Sequence, residues 1–266
     1  MFLKHLKEII LIIFVSLNTF AKENNITIAS TTSTYDSGLL KILNDEFSKK
    51  FNIKVKVLSQ GTGQAIRTAI DGNAEILLVH HTESELKFMN EGFGLERYEI
   101  MYNDYVLVGP SNDKNKCRSV ENKLFEIYKK KQIFISRGDD SGTHKKEIDL
   151  WNLINLKPKE FSDWYLSVGQ GMGNTLLIAN EKKAYTLTDR STWITFNRKN
   201  NLNIVCENFP PMFNQYGIIL INPKINKKLN IEDARKYINW ILTNDAKILI
   251  NKFKKNGKQI FFYNYN

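Results

Sequence analysis

The stretch Ser136-Arg137-Gly138-Asp139-Asp140-Ser141-Gly142-Thr143-His144 decides how this chain is read. It follows the apolar run Ile133-Phe134-Ile135 and precedes a segment carrying Ile148, Leu150 and Trp151, so it reads as a strand-to-helix turn. One Arg, two hydroxyls and several backbone N–H groups converge where a helix begins. A helix start carries unsatisfied donors and a partial positive charge, which is what an anion binds. The same Gly, Asp and Ser composition also serves ordinary turn and N-cap chemistry, and the turn alone does not choose between the two.

The same unit recurs on either side. Ile26-Thr27-Ile28-Ala29 leads into the hydroxyl-rich loop Ser30 to Gly38, after which Leu39, Leu40, Leu43 and Phe47 recur at helical spacing. Ile53 to Leu58 alternates apolar and polar residues and ends in Gln60-Gly61-Thr62-Gly63-Gln64, before a helix with Ala65, Ile66, Ala69 and Ile70. A third strand, Ile76 to Val79, is followed by His80-His81-Thr82-Glu83 and a helix with Leu86, Phe88 and Met89. Repeated strand-loop-helix units predict a parallel sheet flanked by helices, with ligands at the carboxyl ends of the strands. Residues 98–109 form an apolar stretch without helical period, as expected of a strand crossing between lobes. Beyond the Arg137 turn come Trp164 to Val168, then Gly169-Gln170-Gly171-Met172-Gly173-Asn174-Thr175, a helix, and the strand Tyr185 to Thr188. Tyr216 to Ile221 reads as the return crossing, and a final helix starts near Asn230. The expected fold is α/β with two lobes and two crossings, a clamshell: residues 22–104 plus 215–266 in lobe I and 105–214 in lobe II.

With 266 residues and 42% hydrophobic content the chain can bury a core in each of two such lobes. Residues 1–21 combine Lys4 and Lys7, the apolar run Ile9 to Val15, and a small-residue end at Ala21. That is the pattern of a cleavable signal peptide. The run is too short for the roughly 20 residues of a spanning helix, and no Cys near Ala21 could take a lipid. A soluble, periplasmic monomer, not a lipoprotein, is therefore expected. The formal charge of +10 is spread over short Lys runs, which suits solvated faces and gives no reason to expect nucleic acid. Cys117 and Cys206 share no metal-type spacing, and the sequence leaves open whether they are bonded or free.

Four loops, at Thr31 to Thr34, Gly61 to Gly63, Arg137 to Thr143 and Gly169 to Thr175, are rich in hydroxyls and glycines. Each precedes a helix. A divalent oxyanion needs many neutral donors and a cation, and about six hydrogen bonds of roughly 1.5 to 3 kcal/mol account for nanomolar affinity. The competing readings are weaker. Gly169 to Gly173 is half a dinucleotide fingerprint with Asn174 in the last glycine position, so no cofactor is expected. His80 and His81 are adjacent on an extended segment and point oppositely, so they make no metal pair. Asp139 is read as the orienter of Arg137 and Asp140 as a turn cap. Ser141 and His144 lack the Gly-x-Ser-x-Gly elbow of a hydrolase. No catalytic residue is expected; a secreted esterase acting through Ser141 and His144 is the alternative from another class.

Thr31 to Leu40, Gly61 to Ala65, Ser136 to Glu147, Gly169 to Leu176 and Ala184 to Arg190 together resemble the periplasmic tungstate-binding proteins of tungstate ABC importers. The resemblance covers essentially the whole mature chain. It implies the type II periplasmic-binding-protein fold closing on one oxyanion, with delivery to an inner-membrane ABC permease. It implies further that Arg137 and Thr143 contact the anion, that Ser141 and Gly142 supply neighbouring donors, and that Thr32, Ser33 and Thr62 act from the other lobe. The pattern Arg-x-Asp-x-Ser-Gly-Thr is similar to that of phosphate binders of the same fold. Those carry a carboxylate after the third strand to accept the ligand's proton, whereas here His80 and His81 stand there. A donor-only site suits tungstate, with molybdate bound less tightly; a phosphate- or molybdate-binding protein of the same fold is the alternative.

Overall fold

The computed structural model describes residues 24–114 and 117–265. The expected signal peptide, residues 1–21, lies outside the described residues. The chain runs β1 (Asn25–Thr31), α1 (Thr32–Ser37), α2 (Leu39–Phe51), β2 (Lys54–Gln60), α3 (Thr62–Ile70), β3 (Ile76–Val79), α4 (Thr82–Asn90) and the long β4 (Gly94–Pro110). It continues as α5 (Val120–Lys130), β5 (Phe134–Ser136), α6 (Gly142–Leu153), β6 (Tyr165–Ser167), α7 (Met172–Lys182), β7 (Thr186–Asp189), α8 (Arg190–Thr195) and β8 (Leu202–Cys206). It closes with β9 (Phe213–Ile221), α9 (Ile231–Ile241), α10 (Asn244–Lys252), the small hairpin β10 (Lys254–Lys255) and β11 (Lys258–Gln259), and β12 (Phe262–Tyr263).

The first sheet has the order β12-β4-β9-β3-β1-β2. Strands β1, β2 and β3 are parallel, while β9 and the first part of β4 run antiparallel to their neighbours. The alternation of side chains explains why helices cover both faces. Ile26, Ile28, Ile76, Leu78, Ile218 and Leu220 enter one core, and Ala29, Leu77, Val79, Ile219 and Ile221 enter the other. A register shift between Glu99 and Met101 lets consecutive Ile100 and Met101 share one of these cores.

Strand β4 changes partners midway. Asp104 pairs with Phe213 of β9, whereas Tyr105 pairs with Asp189 of β7, and residues from Leu107 onward also pair with β8. Here too the faces alternate: Tyr105 and Leu107 enter a third core with Phe134 and Trp151, and Val106 and Val108 enter a fourth with Ile135 and Leu176. Two sheets with two covered faces each give four cores, and the long β4 joins them. Cys117 and Cys206 are disulfide-bonded, with Cα atoms 5.4 Å apart, which closes the question their spacing left open.

The strand-loop-helix reading needs one correction. Residues 32–37, expected to be loop, form the helix α1, so Thr32 and Ser33 sit in its first turn. Thr31 caps this helix through Oγ1, and Gly38 at φ 89° ends it before α2 restarts the chain. A left-handed residue at that point is most cheaply a glycine.

Candidate functional site

Each strand of interest hands the chain to a helix start. Thr31 leads into α1, Gly61 into α3, Ser141 into α6 and Gly171 into α7. The first turn of a helix leaves N–H groups without intrahelical partners, so four sets of donors are brought to the seam between the sheets. A cavity of about 440 Å³ lies there, lined among others by Thr32 and Ser33, by Arg137, and by Gly171 to Asn174. Among the described residues lining it, Arg137 is the one cationic side chain.

Arg137 is buried, 5% exposed, and its Nη2 donates to Asp139 Oδ2 at 2.5 Å. Asp139 Oδ1 also accepts the Ser141 backbone N–H at 3.3 Å, so one carboxylate holds both the guanidinium and the start of α6. The sequence reading divided these tasks between Asp139 and Asp140. Asp140 instead bonds Lys145 at 2.8 Å and lies 3.7 Å from Arg67 on α3. Ser141 Oγ accepts the His144 backbone N–H at 3.2 Å and caps α6. His144 Nδ1 accepts the Asp140 backbone N–H at 3.2 Å, so that nitrogen is engaged with the turn and not with the serine hydroxyl.

Of the seven residues expected to contact the anion, Thr32, Ser33 and Arg137 line the cavity; Thr62, Ser141, Gly142 and Thr143 lie in the buried wall where α3 meets α6. Contacts join the two groups. His80 Nε2 lies 3.5 Å from Ser33 Oγ. A Cβ added to Gly142 would fall 2.5 Å from His80 Cε1 and 2.9 Å from Thr62 Oγ1, so this helix start fits only a glycine. In this wall several polar atoms are buried with no hydrogen-bond partner among the described residues: Thr62 Oγ1, Thr143 Oγ1 and Arg137 Nε. Leaving a buried hydroxyl unpaired costs about 1 to 3 kcal/mol, and native proteins rarely tolerate it without a functional reason. These donors therefore fit an anionic ligand.

His80 is wholly buried, and burial pushes its imidazole down to about 4, against the pull of Asp189 and of its hydrogen bond to Asn214. Nδ1 donates to Asn214 Oδ1 at 2.9 Å and lies 2.9 Å from the Tyr105 hydroxyl. Asn214 in turn donates to Asn103 Oδ1 at 2.6 Å. The neutral ring thus ties the end of β3 to β4 and β9. His81 points elsewhere and caps α4.

The sequence reading missed several wall residues. Asn174, Ser191 and Thr192 line the cavity, and so does Asp36, whose pKa is raised by partial desolvation and by Asp189. Nothing in the local pattern marks Asp36, because only its place in α1 turns it toward the cavity.

Comparison with known proteins gives the chain's family. Residues 18–245 match the PBP superfamily domain. The chain is 44% identical over 238 residues to the tungstate-binding protein TupA of Peptoclostridium acidaminophilum, covering 88% of this chain and 82% of that protein. The structure of the tungstate-binding protein TupA from Desulfovibrio alaskensis has a TM-score of 0.81 at 38% identity, over 91% of this chain and 99% of that one. That of the tungstate ABC transporter protein from Geobacter sulfurreducens has a TM-score of 0.78 at 41% identity, over 87% and 99% respectively. The chain belongs to the periplasmic-binding-protein superfamily and is a homologue of the tungstate-binding proteins TupA.

Proposed function

We propose that this chain is the solute-binding component of an ABC importer, capturing tungstate between two lobes and handing it to a permease in the inner membrane. The observation that carries this reading is the set of buried, unpartnered polar atoms, Thr62 Oγ1, Thr143 Oγ1 and Arg137 Nε, at the helix starts of a TupA homologue. Tungstate near neutral pH carries no proton and presents acceptors only, so donors without a facing acceptor complement it. Thr32, Ser33, Thr62, Arg137, Ser141, Gly142 and Thr143 are the proposed contacts, with Asp139 fixing the Arg137 fork. Residues 22–104 plus 215–266 and residues 105–214 are the proposed lobes. An anion touching both lobes favours the form in which they meet by its differential affinity for that form. The protein acts without a cofactor and without turnover, as a periplasmic monomer released from its signal peptide. No helix among the described residues is long and apolar enough to cross a membrane. Competition calorimetry with tungstate, molybdate and phosphate tests the reading: tungstate should bind tightest and phosphate should not displace it. Preferential binding of phosphate would overturn it.

A further inference from the structure

His81 takes no part in the cavity wall. Its Nδ1 accepts the Ser84 backbone N–H at 3.2 Å, and its Nε2 reaches across to α6, 3.3 Å from Asp149 Oδ2. Glu83 adds a second carboxylate: one ligand atom each from His81, Glu83 and Asp149 lie within 4.8 Å of one another. They border a separate cavity of about 360 Å³ with His144 in its wall. We propose that a divalent transition-metal ion of the zinc class binds here, held by His81 Nε2, Glu83 and Asp149, and bridges the α4 side of the molecule to α6.

Three observations support a metal beyond a simple ion pair. Zinc bonds to nitrogen and oxygen of about 2.0 to 2.2 Å, arranged tetrahedrally, place neighbouring ligand atoms about 3.3 Å apart, which is the His81 to Asp149 separation. One imidazole and two carboxylates form a zinc-type donor set whose charge balances a dication; of the lysines lining the cavity, Lys145 is engaged with Asp140 and Lys87 with Glu91, while Lys146, outside that lining, interacts with Asp149. Ser84 Oγ lies 2.8 Å from His81 Nδ1. When Nε2 takes the metal, the ring proton moves to Nδ1 and is donated to that hydroxyl, the outer hydrogen bond that metal-bound histidines ordinarily make, at the cost of the cap that Nδ1 otherwise gives the Ser84 backbone N–H.

The position gives the site a consequence. Helix α6 begins with Gly142 and Thr143, so an ion fastening α4 to α6 favours the form in which the two sides meet. By linkage it then raises affinity for an anion that needs the same form. The test uses the metals alone on anion-free protein: Co2+ followed by visible absorption and Zn2+ by calorimetry. One-site binding is expected, with the intense visible bands of four-coordinate Co2+, weakened at least about tenfold by His81→Gln or Asp149→Asn and little changed by His144→Gln. Small-angle scattering should show Zn2+ alone compacting the protein. No binding up to about millimolar metal, or binding indifferent to His81→Gln, overturns the site; so does His81→Gln weakening anion capture in a protein that binds neither metal. The metal-binding readouts contain no tungstate, so they stand or fall separately from the transport reading.

Discussion

Helices α8 and α6 start from similar residues and present opposite chemistry. At α8 the cap is Asp189, whose Oδ1 accepts the Thr192 backbone N–H at 2.9 Å and the Ser191 hydroxyl, while Oδ2 accepts the Thr192 hydroxyl at 2.6 Å. The chain supplies its own anion there. At α6 the cap is the neutral Ser141, and the hydroxyls of Thr143 on α6 and Thr62 on α3 are buried without partners among the described residues. Both starts are equally buried, Asp189 and Thr143 each being 1% exposed. What separates them is whether a carboxylate is built in, so a helix start becomes an anion site when the fold withholds one.

The sharpest way to break this contrast is to remove the cation. Arg137→Ala should weaken tungstate binding at least 100-fold in calorimetry, about 3 kcal/mol, because Asp139 is then left as an unbalanced carboxylate beside the site. Arg137→Lys should fall between, since a point charge cannot reproduce the fork. Retained affinity in Arg137→Ala would refute the site. Next come Thr143→Val and Thr62→Val. Each should lose about tenfold or more in affinity, a charged hydrogen bond being worth roughly 1.5 to 3 kcal/mol, yet raise the melting temperature of the anion-free protein, because an unpaired buried hydroxyl is removed. Asp189→Ala should do the reverse: thermal unfolding should show a loss of about 0.5 to 2 kcal/mol for the missing cap, with tungstate affinity changed by no more than about threefold.

A pH effect tests the surroundings of the site from beneath α6. Glu147 lies in that helix, fully buried, and burial pushes its carboxyl up to about 8; the Tyr165 hydroxyl donates to it at 2.5 Å. It is thus held neutral under the anion site. The folded state binds this proton more tightly than the unfolded chain, whose carboxyl has the ordinary value of 4.5. The stabilising contribution is therefore complete below about 4.5 and is lost as pH rises through about 8. Between pH 6 and 9 the melting temperature of the wild-type protein should fall more steeply than that of Glu147→Gln; equal slopes would show that Glu147 is ionised when folded.

The sequence already showed the long strand β4, because an apolar run without helical period, such as 98–109, has few other readings; β9, read as the return crossing, pairs with β3 and the first part of β4. It placed the start of α9, which Asn230 caps, but took that helix for the last and missed α10 (Asn244–Lys252) behind it. It failed at α1, whose six residues are too few to display a period. It was silent on Cys117 and Cys206, 89 residues apart in the chain and joined only because β8 returns beside the entrance to α5. It named Arg137 and the hydroxyls around it but not Asp36 or Asn174, which reach the cavity through the placement of α1 and α7.

By itself the sequence determined the element types, the faces on which residues alternate, and the supply of donors at four helix starts, because these follow from local spacing and capping. The tertiary structure decided which of those donors stay unpaired. A hydrogen bond is satisfied or orphaned by whatever packs against it: Asp189 satisfies the start of α8 from its own cap, while the Thr62 and Thr143 hydroxyls are buried where α3, from far along the chain, packs against α6, with no hydrogen-bond partner among the described residues.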